Sequence, residues 1–425
     1  MINVVPAFTQ FRVEPQANGL VHFVFDCPGK SMNVFSNKAI HELGAFAEWL
    51  HRAEVGGVVV RSGKDSGFCA GADLTELGVA YDMILAAPPA DRFDMAFAHF
   101  FPLGHAIRRL ETAGKPVAVA INGVALGGGC ELALGGHYRV ATASRHALMG
   151  LPESAVGLLP GAGGTQRMPR LVGTELGLEV LLLGRNLHGQ EAVEAGLIDE
   201  LVEEGTEVAA AEAWLLSPRA HAVQSWDRPG AALLEHAAYA AAIERHRARE
   251  LARMLGHEPA PLAILDCVEL GLMQPIDGAI RSEMAVFSAL IQRPEPRNMI
   301  RTMFLGKQAY EKAERAGGLA PGVAQTAAAV LGQVTAALAR WPELRQAGFG
   351  PARPGLAPVQ RRAGPDYWFV AQPALTAPIA ALAGEVAALL APLGREALLQ
   401  LDHACVRNHA VPAYLGGATG LAALG

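Results

Sequence analysis

Two glutamates in glycine-rich, apolar company, Glu131 and Glu153, are the residues of this chain best suited to do chemistry. Glu131 follows Gly127-Gly128-Gly129-Cys130 and precedes Leu132-Ala133-Leu134, and Glu153 closes Met149-Gly150-Leu151-Pro152. A carboxylate among apolar side chains costs free energy unless it is paired or protonated, so burial pushes its pKa upward. Two such groups facing one small site hold each other's pKa up, which suits a pair that takes a proton at one member and gives one at the other. The three glycines add a second capability. They adopt backbone conformations closed to other residues and let a ligand approach bare peptide N–H groups, while the helix that starts there aims its positive dipole end into the same space. Gly128 therefore stands where an anion or a polarised carbonyl oxygen is stabilised. On these residues alone a plainer reading of Glu131, a carboxylate complementing a helix start, stays open.

The elements that must position this pair follow from the pattern around it. Val117 to Val124 has strand composition and stops at the glycines, so the stretch reads as strand, glycine turn, helix. After Glu153 comes a second glycine loop, Pro160-Gly161-Ala162-Gly163-Gly164-Thr165-Gln166-Arg167, leading into a helix. It lacks the lysine of a phosphate loop, and its glycines do not complete a dinucleotide fingerprint. Upstream, residues 8–26 alternate as two strands joined at Asn18-Gly19, then a loop over Pro28–Asn33 opens a helix to about His51. Val55 to Arg61 is a short buried strand ending in a loop of small residues from Ser62 to Leu74, where Asp73 is placed to cap the next helix. Residues 79–110 are helical and break at Pro88-Pro89. Strand-like pieces recur at 21–26, 55–61, 116–124, 138–142 and 147–149 with helices between, the pattern of a superhelical stack.

Composition narrows the function classes. The chain has 425 residues, 51% of them apolar, enough for a large core and an accessory region, with a net charge of -6. No basic run reads nucleic acid, and an acidic chain must build any site for a polyanionic ligand locally. Cys27, Cys69, Cys130, Cys267 and Cys405 are scattered without CxxC spacing, which argues against disulfides and zinc and for a reducing compartment, expected to be the cytoplasm. The start, MINVVPAFTQFRVEP, carries no secretion signal. No histidine pairs with a carboxylate at metal-ligand spacing, and His403 and His409 read as helix-surface residues. Beyond residue 200 the chain is helical and rich in Ala and Leu, with a helix over Val323–Trp341, a Pro/Gly-rich linker over 345–365 and further helices to 410. Tyr367 to Gly384 is uncharged and nearly long enough to span a bilayer, but Gln372, Pro373 and Pro378 interrupt it and Glu385 follows, so it is expected to be a core or interface helix and not an integral membrane segment.

The string Ala125-Leu126-Gly127-Gly128-Gly129-Cys130-Glu131-Leu132-Ala133-Leu134, the Pro152-Glu153 step and the loop Pro160 to Arg167, in this order and spacing, resemble the enoyl-CoA hydratase/isomerase (crotonase) family. The resemblance implies an α/β fold, a spiral of strand-strand-helix repeats followed by an all-helical C-terminal region. It implies that the peptide N–H of Ala72, in Phe68-Cys69-Ala70-Gly71-Ala72-Asp73, joins that of Gly128 in an oxyanion hole for a thioester carbonyl. Glu131 is then expected to activate a water that adds at C3 of a 2-enoyl thioester, and Glu153 to deliver a proton to C2. Lys30 and Met32, in the loop matching the family's first CoA-contacting loop, together with Ser66, Ala70 and Gly127, are the expected CoA or substrate contacts. The implied activity is hydration of 2-enoyl-CoA to 3-hydroxyacyl-CoA in β-oxidation-type catabolism. Its rivals are isomerisation of 3-enoyl to 2-enoyl thioesters, which can run on Glu153 alone, and a non-catalytic scaffold role.

The run Gly184 to Asp199 resembles the segment that closes the family's core, with Gly196 ending a helix before a final strand. Residues 224–230, 259–265 and 297–304 are similar to the region after the hydratase module in the large subunits of fatty-acid oxidation complexes, so the resemblance covers about residues 5–315. There a dehydrogenase follows with a strand and GxGxxG; here the chain beyond Lys312 offers only AGGLAPG, at 316–322, so no NAD binding is expected. The expected domains are a catalytic core over 1–205, a helical extension over 206–318 and an Ala/Leu-rich helical region over 319–425. Expected partners are the acyl-CoA substrate, further copies of the chain in a homo-oligomer, and a thiolase or a separate 3-hydroxyacyl-CoA dehydrogenase.

Overall fold

The computed structural model describes residues 6–144, 146–231, 233–351, 356 and 366–425, and in it the N-terminal hairpin forms one edge of the main sheet. Strands β1 (Phe11–Pro15) and β2 (Leu20–Phe25) pair antiparallel across a turn in which Gly19 takes φ +82°, a left-handed conformation that suits glycine. Then come α1 (Asn37–Leu50), β3 (Gly57–Ser62), α2 (Leu74–Ala86), α3 (Arg92–Glu111), β4 (Val117–Ile121), β5 (Ala125–Leu126), α4 (Gly128–Leu134), β6 (Tyr138–Thr142) and β7 (Leu148–Gly150). A 3-10 turn over Pro152–Val156 leads to α5 (Gly164–Val172), α6 (Thr174–Leu183), β8 (Leu187–His188), α7 (Gly189–Glu194), β9 (Glu200–Val202) and α8 (Glu207–Leu215).

The main sheet has the order β1-β2-β3-β4-β6-β9, and every pair in it except the hairpin is parallel. Parallel strands are covered on both faces, which is why β4 reads as an unbroken apolar run and both β2 and β4 are buried throughout. On one face Phe11, Phe23 and Phe46 stack, with ring centroids 4.3 and 3.8 Å apart in succession. On the other, Trp214 of α8 stacks flat on Tyr138 at 4.6 Å and packs among Leu20, Val59 and Ala118. A second sheet, β5-β7-β8, is small.

Parallel pairing of β3 with β4 brings the loops leaving their C-terminal ends together. Cys69 bridges Ala125, and the Leu126 N–H donates to the Cys69 carbonyl at 3.0 Å. The apolar run expected as one strand over 116–124 thus ends at Ile121, and the chain turns into β5 before the glycines.

The remaining helices are α9 (Ala240–Met254), α10 (Pro259–Gly271), α11 (Ile276–Leu290), α12 (Pro294–Met299), α13 (Lys307–Arg315), α14 (Val323–Arg340), α15 (Pro373–Leu390), α16 (Arg395–Arg407) and α17 (Gly417–Ala422), with a π-helical turn over Ile300–Gly306. Contacts group the chain into two units, residues 1–154, 159–243 and 263–288 in one and 155–158, 244–262 and 289–425 in the other. The latter part of α10 and most of α11 group with the strands. Gln166 Nε2, for example, donates to the Cys267 carbonyl at 2.9 Å. The second unit has a helical core of its own, with Val330, Val334, Leu382, Leu401 and Leu415 buried in it. Helix α15 has the length and hydropathy of a membrane span, and its Leu375, Ile379, Leu382 and Val386 are buried within that core. Most of the linker expected over 345–365 lies outside the described residues.

Candidate active site

The first glycine turn is built by close approach. Gly127 takes φ +53°, and a Cβ there would sit 2.9 Å from Oε1 of Glu153. At Gly129 a Cβ would stand 2.5 Å from the Cys69 carbonyl oxygen, so only glycine lets α4 pack against the 68–73 loop. A Cβ at Gly71 would lie 3.5 Å from the Gly128 nitrogen, which puts the two loops side by side. Gly128 opens α4, and among the described residues neither its peptide N–H nor that of Ala72 donates to another group of the chain. Two adjacent, unspent N–H groups at a helix start can hold a polarised carbonyl oxygen. Phe35 and Leu103 stand 3.2 and 3.4 Å from the place a Cβ of Gly128 would occupy, giving this spot an apolar rim.

Glu131 lies one turn into α4 and is 2% exposed. Its Oε1 accepts from the peptide N–H of Ala162 at 2.7 Å and of Gly164 at 2.8 Å, both in the second glycine loop, while Oε2 makes no hydrogen bond among the described residues. Gly164 has to be small for this: its Cβ would come 2.9 Å from Glu131 Oε1. Glu153, in the 3-10 turn after β7, reaches Gly127 from the other side, and its Oε2 is buried with no hydrogen-bond partner. The two carboxyls foreseen from their apolar surroundings are thus brought to either side of one glycine turn.

Their electrostatics differ in a way the geometry explains. Burial pushes Glu131 up to about 7, opposed by the Ala162 and Gly164 N–H groups and by Arg167, all of which favour its charged form. Glu153 is raised well above the usual carboxyl range by burial and then by the charges of Glu131 and Glu283. The donors favour charge on Glu131, and the orphaned Oε2 favours a proton on Glu153.

Three contributors to the site are not evident from sequence. Glu283 on α11 is fully buried; its Oε1 accepts from Gly163 N–H at 2.6 Å and its Oε2 from Thr165 N–H at 3.0 Å and from the Thr165 hydroxyl. Arg167 donates to the Ala162 carbonyl at 3.0 Å and pairs with Glu111 at 2.8 Å, both side chains fully buried. Asn33 ties the loops expected to meet CoA, donating to the carbonyls of Phe25 at 2.8 Å and Phe68 at 3.0 Å and to Ser62 at 3.0 Å.

Around that asparagine the remaining candidates cluster. Met32 lies against the 66–67 turn, 3.9 Å from Ser66 Oγ through its sulfur; Ser66 donates to the Ser31 carbonyl, and the exposed Ala70 donates its N–H to the Asn33 carbonyl at 2.9 Å. Lys30 is exposed and pairs with Asp73, whose carboxylate caps α2 through Thr75 N–H at 3.0 Å. Lys30, Met32, Ser66 and Ala70 therefore share one surface beside Ala72, while Gly127 belongs to the carboxyl pair. Among the described residues no group of His, Cys, Asp and Glu is placed to hold a metal ion.

Comparison with known proteins gives a concordant result. The family model described as enoyl-CoA hydratase/isomerase matches residues 16–244. The chain is 34% identical over 323 residues to the fatty acid oxidation complex subunit alpha of Shewanella loihica, a match covering 74% of this chain and 43% of that protein. It is 32% identical over 314 residues to the corresponding subunit of Shewanella amazonensis, covering 73% and 43%. The matches thus span less than half the length of these relatives. Among solved structures, an enoyl-CoA hydratase from Bacillus halodurans is 20% identical with a TM-score of 0.49, covering 69% of this chain and 99% of that one.

Proposed function

The chain belongs to the enoyl-CoA hydratase/isomerase family, and from that membership we propose that it is an enoyl-CoA hydratase, adding water across the 2,3 double bond of a 2-enoyl-CoA. One observation carries the reading: two carboxyls with raised pKa flank the Gly127-Gly128 turn, one wired to peptide N–H groups and the other with an orphaned oxygen. The thioester carbonyl accepts from the N–H groups of Ala72 and Gly128, which draws electron density from C3. Glu131, ionised, takes a proton from the water that adds at C3. Glu153, protonated, gives its proton to C2 as the enolate-like charge collapses, and pairs of carboxyls whose surroundings set their pKa values apart divide base and acid work in this way. General acid and base each contribute roughly 10²- to 10⁴-fold, and the oxyanion donors stabilise the charge that develops on the carbonyl oxygen.

Isomerisation needs a single carboxyl to shuttle one proton, and a scaffold needs none. A buried Glu131 that holds two loop N–H groups on one oxygen and leaves the other unbonded favours hydration over both. On this reading Lys30, Met32, Ser66 and Ala70 meet the CoA moiety, no NAD is required, and the 3-hydroxyacyl product passes to a separate dehydrogenase and then a thiolase. The test follows loss of conjugated-thioester absorbance when crotonyl-CoA is mixed with the protein. Turnover is the expected result; inactivity on short, medium and long 2-enoyl-CoAs would sink the hydratase reading in favour of a scaffold.

A further inference from the structure

The second glycine loop has a side that the proposed chemistry does not use. Successive peptide N–H groups of the loop go to two different carboxyls: Ala162 and Gly164 to Glu131, Gly163 and Thr165 to Glu283. The loop's carbonyls face other groups: that of Ala162 accepts from the Arg167 guanidinium at 3.0 Å and that of Gly163 from the Arg167 peptide N–H at 2.8 Å. Loop conformation enforces the alternation, since Gly163 takes φ +96° and turns its N–H away from those of its neighbours. Glu283 is also anchored from behind: Thr165 Oγ1 donates to it and accepts from Gln166 Nε2 at 2.8 Å, which in turn donates to the Cys267 carbonyl. A buried carboxyl that takes three donors from one hexapeptide loop is far more than a helix-surface glutamate requires.

We infer that Glu283 is a positioning residue for the reaction: by holding the Gly163 and Thr165 amides it fixes the loop in the geometry that aims the Ala162 and Gly164 amides at Glu131. The inference rests on the hydratase reading for its kinetic consequence, although the geometry stands without it. The groups facing Glu283 are Thr165, Gln166 and Arg170 from α5, Glu131 from α4, Glu153 from the 3-10 turn and Cys267 from α10. Two of these are carboxyls, and one, Arg170, is a cation acting through its charge. Burial and Glu131 push Glu283 up to about 8 against its three donors, so the three carboxyls titrate as one coupled set.

The test uses the full chain with Glu283→Gln, which keeps the shape and leaves one acceptor oxygen for three donors. On crotonyl-CoA, kcat should fall about 10²-fold, the cost of a small misplacement of a reacting group, with KM held within about twofold. A second readout needs no turnover: the carboxyl band of Glu131, isolated by infrared difference against Glu131→Gln, should titrate about one pH unit higher in Glu283→Gln than in the native protein, because the Ala162 and Gly164 N–H groups that favour its charged form are no longer held against it. An unshifted Glu131 titration in a folded variant overturns the inference whatever the kinetics show. If the native protein does not turn over 2-enoyl-CoA at all, the hydratase reading fails while the Glu131 titration still decides the role of Glu283. Should Glu283→Gln not fold, Thr165→Val, which removes one donor only, takes its place; a Glu131 titration that moves supports the inference and one identical to the native protein overturns it.

Discussion

Two buried carboxyl sites, one in each unit of the molecule, look alike in burial and differ in satisfaction. Asp402 in α16 is fully buried, and its oxygens accept from Thr419 N–H at 2.8 Å, the Thr419 hydroxyl at 2.6 Å and Arg301 Nε at 2.8 Å. Every donor a carboxylate needs is supplied, including a cation. At Glu131 and Glu153, among the described residues, no guanidinium touches the carboxyl, one oxygen of Glu131 is unbonded, and Oε2 of Glu153 has no partner. A satisfied buried carboxylate can hold parts of a fold together, whereas an under-satisfied one keeps its proton mobile and is fitted for chemistry. The same functional group is thus suited to opposite work according to the donors around it.

The comparison is most directly broken at the pair itself. Glu153→Gln and Glu131→Gln should each lower crotonyl-CoA turnover by about 10²- to 10⁴-fold while leaving the melting temperature equal or higher, because each removes a buried, poorly satisfied acid. A variant that kept full activity would remove that carboxyl from the mechanism. Asp402→Ala is expected to do the reverse, costing about 2 kcal/mol in urea unfolding through its lost charge-assisted hydrogen bonds, with kcat unchanged. Loss of activity with intact stability at Asp402 would erase the distinction.

pH sharpens the contrast. Glu131 and Glu283, at about 7 and about 8, sit above the unfolded value near 4.5, so the folded state binds more protons than the unfolded one between those limits. Their contribution to stability is whole below about 4.5, falls as pH rises and is lost above about 8. Thermal melts across that window should decline in the native protein and decline less steeply in Glu131→Gln, where Glu283 still contributes. Turnover should fall on the acid side as Glu131 takes up its proton near 7. The smallest effect belongs to Asp73→Ala: the helix cap is worth about 1 kcal/mol, and the exposed pairing with Lys30 adds little, so a modest stability loss in urea unfolding with turnover nearly kept is expected.

Much of this site is legible in the sequence because it is written locally. Gly127 to Glu131, Pro152-Glu153 and the loop from Pro160 carry turn chemistry and apolar context within a few residues, and Asp73 stands one position before its helix. Glu283 is 120 residues from Gly163, and no local pattern names a partner at that distance. A weaker signal did exist: Ile276, Ala279, Ile280, Met284 and Phe287 mark the buried face of α11, and Glu283 falls on that face at helical spacing. A glutamate in a core position is costly enough to demand a reason. Asn33 and the Arg167–Glu111 pair escape for the same cause, since their contacts are set by tertiary packing between distant loops and helices.

The loop from Ala162 to Thr165 also behaves as a clock. Its amide hydrogens are neither in a strand nor paired with carbonyls two or four residues away, yet each is bonded to a buried carboxyl. Solvent deuterium can reach them only when α4 or α11 lets go, so these glycine amides, in a segment that composition marks as a loop, should exchange as slowly as the central strands.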